Sequence, residues 1–373
     1  MKVLILSCNT GAGHNACAAA VQEALMARQI PCDIRDGLSF LSKEASRFIS
    51  EWHARLYRNL PRLYGEGYRY AERHAQPMGD DSVAARFLST GAHRLRACIA
   101  SQGYTDVICT HLFPALMLTL IQREDPLPLR TAFIATDYTA SPGYESIQAD
   151  WVFIPDEELA ADFARPDIPD ERIVASGIPV RQSFHLPADR AAAKRVLGID
   201  PGHRHLLVMS GSIGCGPLKR ILKRIAREID DGIEISVICG TNRKLSRQLS
   251  RQLGDRGNIH IHDFVDHIAL YMDSADLFLS KPGGLSVSEA LAKRLPMVLL
   301  QAVEGCEPYN MRFCLDHGAA ATAQEPREIA GICRRLIIDD AALAEMRAAI
   351  MACYQKHPAR TVCDCLAGTG TEV

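Results

Sequence analysis

Ala275-Asp276-Leu277-Phe278-Leu279-Ser280-Lys281-Pro282-Gly283-Gly284-Leu285-Ser286-Val287-Ser288-Glu289 is the stretch whose reading decides the fold. Its opening is short, apolar and ends at a Pro-Gly pair, which predicts a buried strand and then a turn. Ser286-x-x-Glu289 fits a capping box, and Val287, Ala290, Leu291 and Leu295 recur at helical spacing. A helix is therefore expected just after the glycines, ending at Pro296. Met297 to Leu300 is a second apolar run, and the polar loop from Gln301 to Asn310 leads into another helix. The whole reads as a βαβ unit with loops at both strand ends. Two glycines at a helix N-terminus leave backbone N–H groups and the positive end of the helix dipole open to an anion, for which phosphate is the natural guest. A tight turn with no ligand is the plainer alternative.

Working outward, the chain has 373 residues, 47% of them hydrophobic, enough for two domains with cores of their own. The boundaries expected are an N-terminal Rossmann-like domain over residues 1–183, a linker over 184–190, a C-terminal Rossmann-like domain over 191–356 and a less regular tail over 357–373. A formal net charge of -2 argues against a nucleic-acid partner, which would need an excess of Lys and Arg. The 13 cysteines are scattered, odd in number and free of C-x-x-C pairs. With no signal peptide in evidence, they point to reduced thiols and a cytoplasmic location. No window approaches the roughly 18 apolar residues that a membrane-spanning helix needs, so any membrane contact is expected to be peripheral.

At the N-terminus, Lys2 to Cys8 is a continuous apolar run, as in a central parallel strand. Gly11-Ala12-Gly13-His14-Asn15-Ala16 follows, fitting G-x-G-x-x-A, with Asp33 and Asp36 near the distance of a ribose-binding acid. A histidine at the mouth of that loop speaks against a dinucleotide, which wants close backbone approach. His14 titrates near neutrality and is a candidate base; a loop histidine that caps the helix is the alternative. Arg130 to Thr136 reads as a strand that delivers Asp137 to its carboxyl end, making Asp137 a second candidate base, an orienting group or a plain turn aspartate. Between Leu41 and Arg73, Trp52, Tyr57, Tyr64, Tyr68 and Tyr70 interleave with Arg47, Arg55, Arg58, Arg62, Arg69 and Arg73. This mixture suits an anionic membrane surface, and equally a solvated helical hairpin.

The second half repeats the logic of the first. His205 to Met209 is a strand, followed by Ser210-Gly211-Ser212-Ile213-Gly214-Cys215-Gly216. Lys219 lacks the Gly-Lys-Ser/Thr order of a P-loop, so ATP hydrolysis is not indicated. Asp263-Phe264-Val265-Asp266 forms a loop before a further helix.

Lys281-Pro282-Gly283-Gly284-Leu285-Ser286-Val287-Ser288-Glu289-Ala290-Leu291, with Gly305, Glu307 and Asn310 after it, resembles the donor signature of glycosyltransferase family 28. Within it the chain is most similar to the monogalactosyldiacylglycerol synthases and processive diacylglycerol glucosyltransferases. The resemblance implies an α/β GT-B fold, two Rossmann-like domains facing each other across a cleft, with a UDP-sugar held by the C-terminal one. It places Gly13 in the loop facing the reaction centre and aims Arg181, in Gly177-Ile178-Pro179-Val180-Arg181, at the donor phosphates. Gly211, Ser212, Pro282, Gly283, Gly284 and Leu285 would line the donor site, and the backbone near Phe264 and Val265 would read uracil. Glu289 would bind the ribose, against its competing role in the capping box, while Glu307 and Asn310 would meet the sugar.

The chain departs from the pattern in two places. Thr139 to Tyr144 lacks a His and a Trp that related enzymes carry, and Cys306 stands where the family often has Gln. The activity implied is inverting transfer of glucose or galactose from UDP to a lipid, diacylglycerol first. His14 or Asp137 would be the base, with no metal or other cofactor, at the inner face of the cell membrane. The rivals are a UDP-N-acetylglucosamine 2-epimerase type of isomerase and a protein that senses UDP-sugar without turnover.

Overall fold

Strand and helix alternate from Val3 onward in the computed structural model, which describes residues 1–73, 83–209, 211, 218–229 and 232–368. Contacts divide the chain into two units. The first comprises Met1–Gln182, Glu304–Cys306 and Lys356–Val373, and the second Ser183–Val303 and Glu307–Gln355.

The first unit runs β1 (Val3–Ser7), α1 (Ala12–Ala27), β2 (Cys32–Asp36), α2 (Lys43–Asn59), α3 (Pro61–Arg73) and α4 (Val83–Gln102). It continues with β3 (Asp106–Cys109), α5 (Leu112–Glu124), β4 (Arg130–Ile134), β5 (Trp151–Phe153), α6 (Ala160–Phe163) and β6 (Ile173–Val174). Its six strands form one sheet in the order β2-β1-β3-β4-β5-β6. Every pairing is parallel. All five residues of β1 are buried, as the continuous apolar run requires, whereas edge strand β2 alternates. Successive side chains of a strand face opposite ways. Val3 and Ile5 accordingly pack with Cys17, Val21 and Leu25 of α1, while Leu4 and Leu6 pack with Leu88, Leu95 and Ile99 of α4.

The second unit runs α7 (Arg190–Val196), β7 (Arg204–Met209), α8 (Leu218–Glu228), β8 (Ile233–Ile238), α9 (Arg243–Leu253), β9 (Ile259–His262) and α10 (Ile268–Ser274). Then come β10 (Leu277–Ser280), α11 (Gly284–Ala292), β11 (Met297–Leu299), α12 (Glu307–Asp316), β12 (Ala320–Thr322), α13 (Pro326–Ile337) and α14 (Asp340–Cys353). Its sheet is also parallel throughout, in the order β12-β11-β10-β7-β8-β9. Leu206, Val208, Leu277 and Leu279 meet Ile221, Leu222 and Ile225 of α8 and Ile329 and Cys333 of α13.

The tail expected to be irregular instead forms α15 (Pro358–Ala367). Val362, Cys363 and Leu366 recur on one face of it and complete the core of Val3, Ile5 and α1, which is the physical reason for the helix. Arg28 pairs with Asp364 at 2.7 Å and Lys356 with Asp156 at 2.6 Å. Gly177 belongs to this docking: its φ is +86°, and a Cβ there would lie 2.8 Å from Pro358 Cγ. Gly177→Ala should therefore lower the urea midpoint of the first unit by the equivalent of about 1–3 kcal/mol, monitored by circular dichroism. An unchanged midpoint would mean that α15 docks without needing this glycine.

Candidate active site

In an open parallel sheet, ligands bind beyond the carboxyl ends of the strands where the winding reverses. In the first unit that point lies between β1 and β3. β1 leads through Cys8–Gly11 to α1, whose first turn carries Gly13 and His14, and β3 leads to Thr110 and His111.

His14 Nδ1 lies 2.8 Å from the Thr110 carbonyl and 3.0 Å from Thr136 Oγ1. A carbonyl oxygen only accepts, so Nδ1 carries the proton and the basic lone pair is on Nε2. The His111 ring stands edge-on to His14 at 4.5 Å. Its Nδ1 accepts the Phe113 N–H at 3.1 Å, leaving Nε2–H to donate to Thr10 Oγ1 at 3.0 Å. Desolvation brings the His14 pKa down to about 4, partly opposed by the Thr110 carbonyl and assisted by neighbouring His53. Burial first, then His14 and His53, hold His111 well below its ordinary value. Both rings are neutral at pH 7.

The acids of the dinucleotide reading are spoken for. Asp36 accepts from Asn9 at 3.1 Å and from the Leu38 N–H at 3.1 Å, and also bonds Ser46. Asp33 accepts from Tyr104 Oη at 2.6 Å.

Asp137 is half-buried beside Thr136, the residue that touches His14. It hydrogen-bonds the Cys306 thiol, whose Sγ is 3.2 Å from Tyr68 Oη and 3.6 Å from Ser141 Oγ. Burial first, then the charge of Asp137, pushes that thiol above the usual range. Arg181 follows buried Ile178 and Val180 and is exposed.

The aromatic residues expected at a membrane divide into two sets. Trp52 and Tyr70 are exposed, joined by Phe48, Leu60 and Leu63, which the sequence reading passed over. Tyr57, Tyr64 and Tyr68 are half-buried; Tyr57 and Tyr64 pack against His53 and each other, while Tyr68 bonds Cys306. The Arg58 side chain lies outside the described part of α2.

In the second unit the winding reverses between β7 and β10. β10 ends at Ser280, Lys281-Pro282 turn the chain, and Gly283 is the N-cap of α11 with no side-chain cap. The helix thus starts at Gly284, one turn earlier than the capping box requires. Ser286 and Glu289 fall inside it, and the box does not form. The Val287 N–H is the first to reach back, to the Gly283 carbonyl at 3.0 Å. The N–H groups ahead of it have no intrahelical acceptor. Among the described residues a Cβ on Gly283 would meet nothing within 4 Å, and φ is -72°, so neither conformation nor crowding by those residues demands glycine. Open space over bare amides is what an approaching anion needs.

Around this mouth, Pro282 is buried and Leu285 half-buried, while Glu289 is buried on the second turn of α11. Phe264 is exposed and Val265 half-buried in the loop between β9 and α10. Gly211 sits at the end of β7 with φ +73°. Ser212 lies outside the described residues.

The two residues expected at the sugar are enclosed by the protein. Asn310 is 0% exposed and donates from Nδ2 to the Pro282 carbonyl at 3.0 Å. Glu307 accepts from Lys281 Nζ at 2.9 Å and from the Val303 N–H at 2.8 Å. Through that bond Asn310 also braces the turn after β10. Among the described residues no group of three or more His, Cys, Asp or Glu is placed to hold a metal ion. No described helix is long and apolar enough to cross a membrane.

Sequence reasoning missed His111, His53 and Lys281. His111 was findable, since it directly follows the strand Asp106–Thr110 that such a fold places beside the first. His53 and Lys281 act through tertiary packing and left no local signal.

Residues 14–180 match the family model for monogalactosyldiacylglycerol synthase, and residues 205–320 match that of the glycosyltransferase family 28 C-terminal domain. The processive diacylglycerol beta-glucosyltransferase of Bacillus cytotoxicus is 24% identical over 369 residues, covering 97% of this chain and 92% of that protein. Among solved structures, MurG of Acinetobacter baumannii aligns with a TM-score of 0.67 at 15% identity, over 99% of this chain and 100% of its own. The UDP-GlcNAc 2-epimerase of Neisseria meningitidis, bound to UDP-GlcNAc, gives 0.63 at 13% identity, over 99% and 100%. At such identities the two structures speak for the fold alone, which is GT-B. Carrying a domain of the monogalactosyldiacylglycerol synthase type followed by a family 28 C-terminal domain, the chain belongs to glycosyltransferase family 28 and is a glycosyltransferase enzyme.

Proposed function

We propose that the protein transfers a hexose, glucose or galactose, from its UDP derivative to a hydroxyl of diacylglycerol with inversion at the anomeric carbon. The observation that carries the reading is the open, amide-lined mouth between Gly283 and the first turn of α11. A diphosphate fits its polarity. The family models and the Bacillus relative support the lipid acceptor.

In this reading His14 Nε2 accepts the proton of the acceptor hydroxyl as the oxygen attacks the anomeric carbon. The bond from that carbon to UDP breaks, and charge develops on the departing diphosphate. The α11 amides, the helix dipole and Arg181 stabilise it, with no divalent metal assigned. Asp137 is the alternative base or the group that orients the acceptor. Ribose contact falls to Glu289, and base contact to the Phe264–Val265 backbone. The resemblance assigns Gly211, Pro282 and Leu285 to the donor side and Gly13 to the acceptor side.

Exposed Phe48, Trp52, Leu60, Leu63 and Tyr70 share α2, α3 and their junction with exposed Arg47, Arg55, Arg62 and Arg69. This pattern supports peripheral contact with an anionic membrane at its cytoplasmic face, where the acceptor resides.

UDP release from a panel of UDP-sugars, with and without diacylglycerol vesicles, tests the reading. Release that depends on the lipid is expected. Binding without release would favour a sensor, and conversion of UDP-N-acetylglucosamine without lipid an isomerase. His14→Ala should lower kcat by at least 100-fold while UDP affinity stays within about twofold. Because desolvation holds His14 near pKa 4, its base form persists well below pH 6.5. The acid limb of kcat/KM should accordingly fall nearer pH 4 than pH 6.5. A midpoint at pH 6.5 or above would remove His14 as the base.

A further inference from the structure

Lys281 has no role in the reaction as described, yet it is a buried, ion-paired cation beside the donor mouth. It is 9% exposed and its partner Glu307 8%. Nζ lies 2.9 Å from Glu307 Oε1, and Glu307 Oε2 takes the Val303 N–H at 2.8 Å. The same lysine packs under Gly211, where a Cβ would stand 3.2 Å from Cε and 3.8 Å from Nζ. A single side chain thus ties together the carboxyl ends of β7, β10 and β11, three neighbouring strands of the sheet.

Stability does not account for such a pair. Removing two charges from water costs several kcal/mol per ion, and apolar residues of like volume do as well or better. What the pair supplies is direction. A carboxylate with one oxygen on an ammonium and the other on a backbone N–H has its plane fixed, and the chain at Val303 is fixed with it. Asn310 anchors the opposite side of the same arrangement by holding the Pro282 carbonyl at 3.0 Å. The mouth at Gly283 joins this lattice through backbone groups, its N–H donating to the Lys281 carbonyl at 2.9 Å, and not through the Lys281 ammonium, which is turned to Glu307.

Resting on the donor reading above, we propose that Lys281 is a positioning residue: through Glu307 it sets the loop from Gln301 to Val303 and the start of α12, and with them the sugar end of the donor site. The nucleotide end is left to α11. The pair therefore governs recognition of the hexose without governing the affinity for UDP.

The test uses the full chain with UDP, UDP-glucose and diacylglycerol vesicles, on Lys281→Met, Glu307→Gln, the double variant and Lys281→Arg. Lys281→Met and Glu307→Gln should each raise the KM for UDP-glucose about tenfold while the Kd for UDP stays within twofold. The double variant should be no worse than either single one, and Lys281→Arg should recover most of the loss. Equal losses for UDP and UDP-glucose would make Lys281 a direct phosphate ligand, and multiplying losses in the double variant would make the two residues independent; either overturns the proposal.

Amide hydrogen exchange separates this proposal from the donor reading, because it needs no substrate. In Lys281→Met, peptides covering residues 301–311 should exchange several-fold faster while those covering 284–292 do not change. Wild-type protein that fails to bind UDP refutes the donor reading. Unchanged exchange at 301–311 refutes the role of Lys281. Should Lys281→Met not fold, Glu307→Gln and Lys281→Arg carry the same comparisons.

Discussion

Val3–Ser7 and Leu277–Ser280 are buried along their whole length, so the chain meets a ligand only where those strands stop. Helices cover both faces of each sheet, and every strand pairing is parallel, which leaves the carboxyl ends as the place where backbone groups go unpaired. Two such ends carry the candidate chemistry described above: His14 with His111 beyond β1 and β3, with Asp137 nearby beyond β4, and Gly211 with Lys281–Gly284 beyond β7 and β10. The burial that stabilises the strands is also what confines the chemistry to their tips.

The two ends solve the problem of polarity in opposite ways. Beyond β1 and β3, desolvation keeps the imidazoles uncharged, and hydrogen bonds to Thr110, Thr136, Thr10 and Phe113 fix which nitrogen carries the proton. Beyond β7 and β10, Lys281 is paired with Glu307, and in the reading proposed above the attraction for an anion falls to the amides of α11. Neutral bases suit proton transfer; oriented dipoles suit a diphosphate that must arrive, change its charge and depart.

Much of the architecture could be read from single residues. The uninterrupted apolar runs Lys2–Cys8 and Leu277–Ser280 identify buried parallel strands, and the glycine-bearing turns after them identify the ligand ends. The helix starts beside the glycines as expected, but the capping box Ser286-x-x-Glu289 does not form, a local rule that the helix ignores once Gly283 takes the N-cap position. The tail was misread because Val362, Cys363 and Leu366 make helical sense only against Val3 and α1, which are remote in sequence. The bonds that Asn310 makes to Pro282, and Glu307 to Val303 and Lys281, were not legible, because no spacing rule reports on tertiary hydrogen bonds. The inward turn of Tyr57, Tyr64 and Tyr68 was hidden for the same reason.

The return of α15 to α1 bears on how the protein is made. Arg28 and Asp364, joined by an ion pair, are 336 positions apart. The core that Val3 and Ile5 share with α1 therefore stays incomplete throughout elongation, while the second unit already has its strands and most of its covering helices. The body that begins first on the ribosome is thus completed last, and a chain cut short before α15 leaves the part of that core which Val362, Cys363 and Leu366 cover open to solvent and to aggregation.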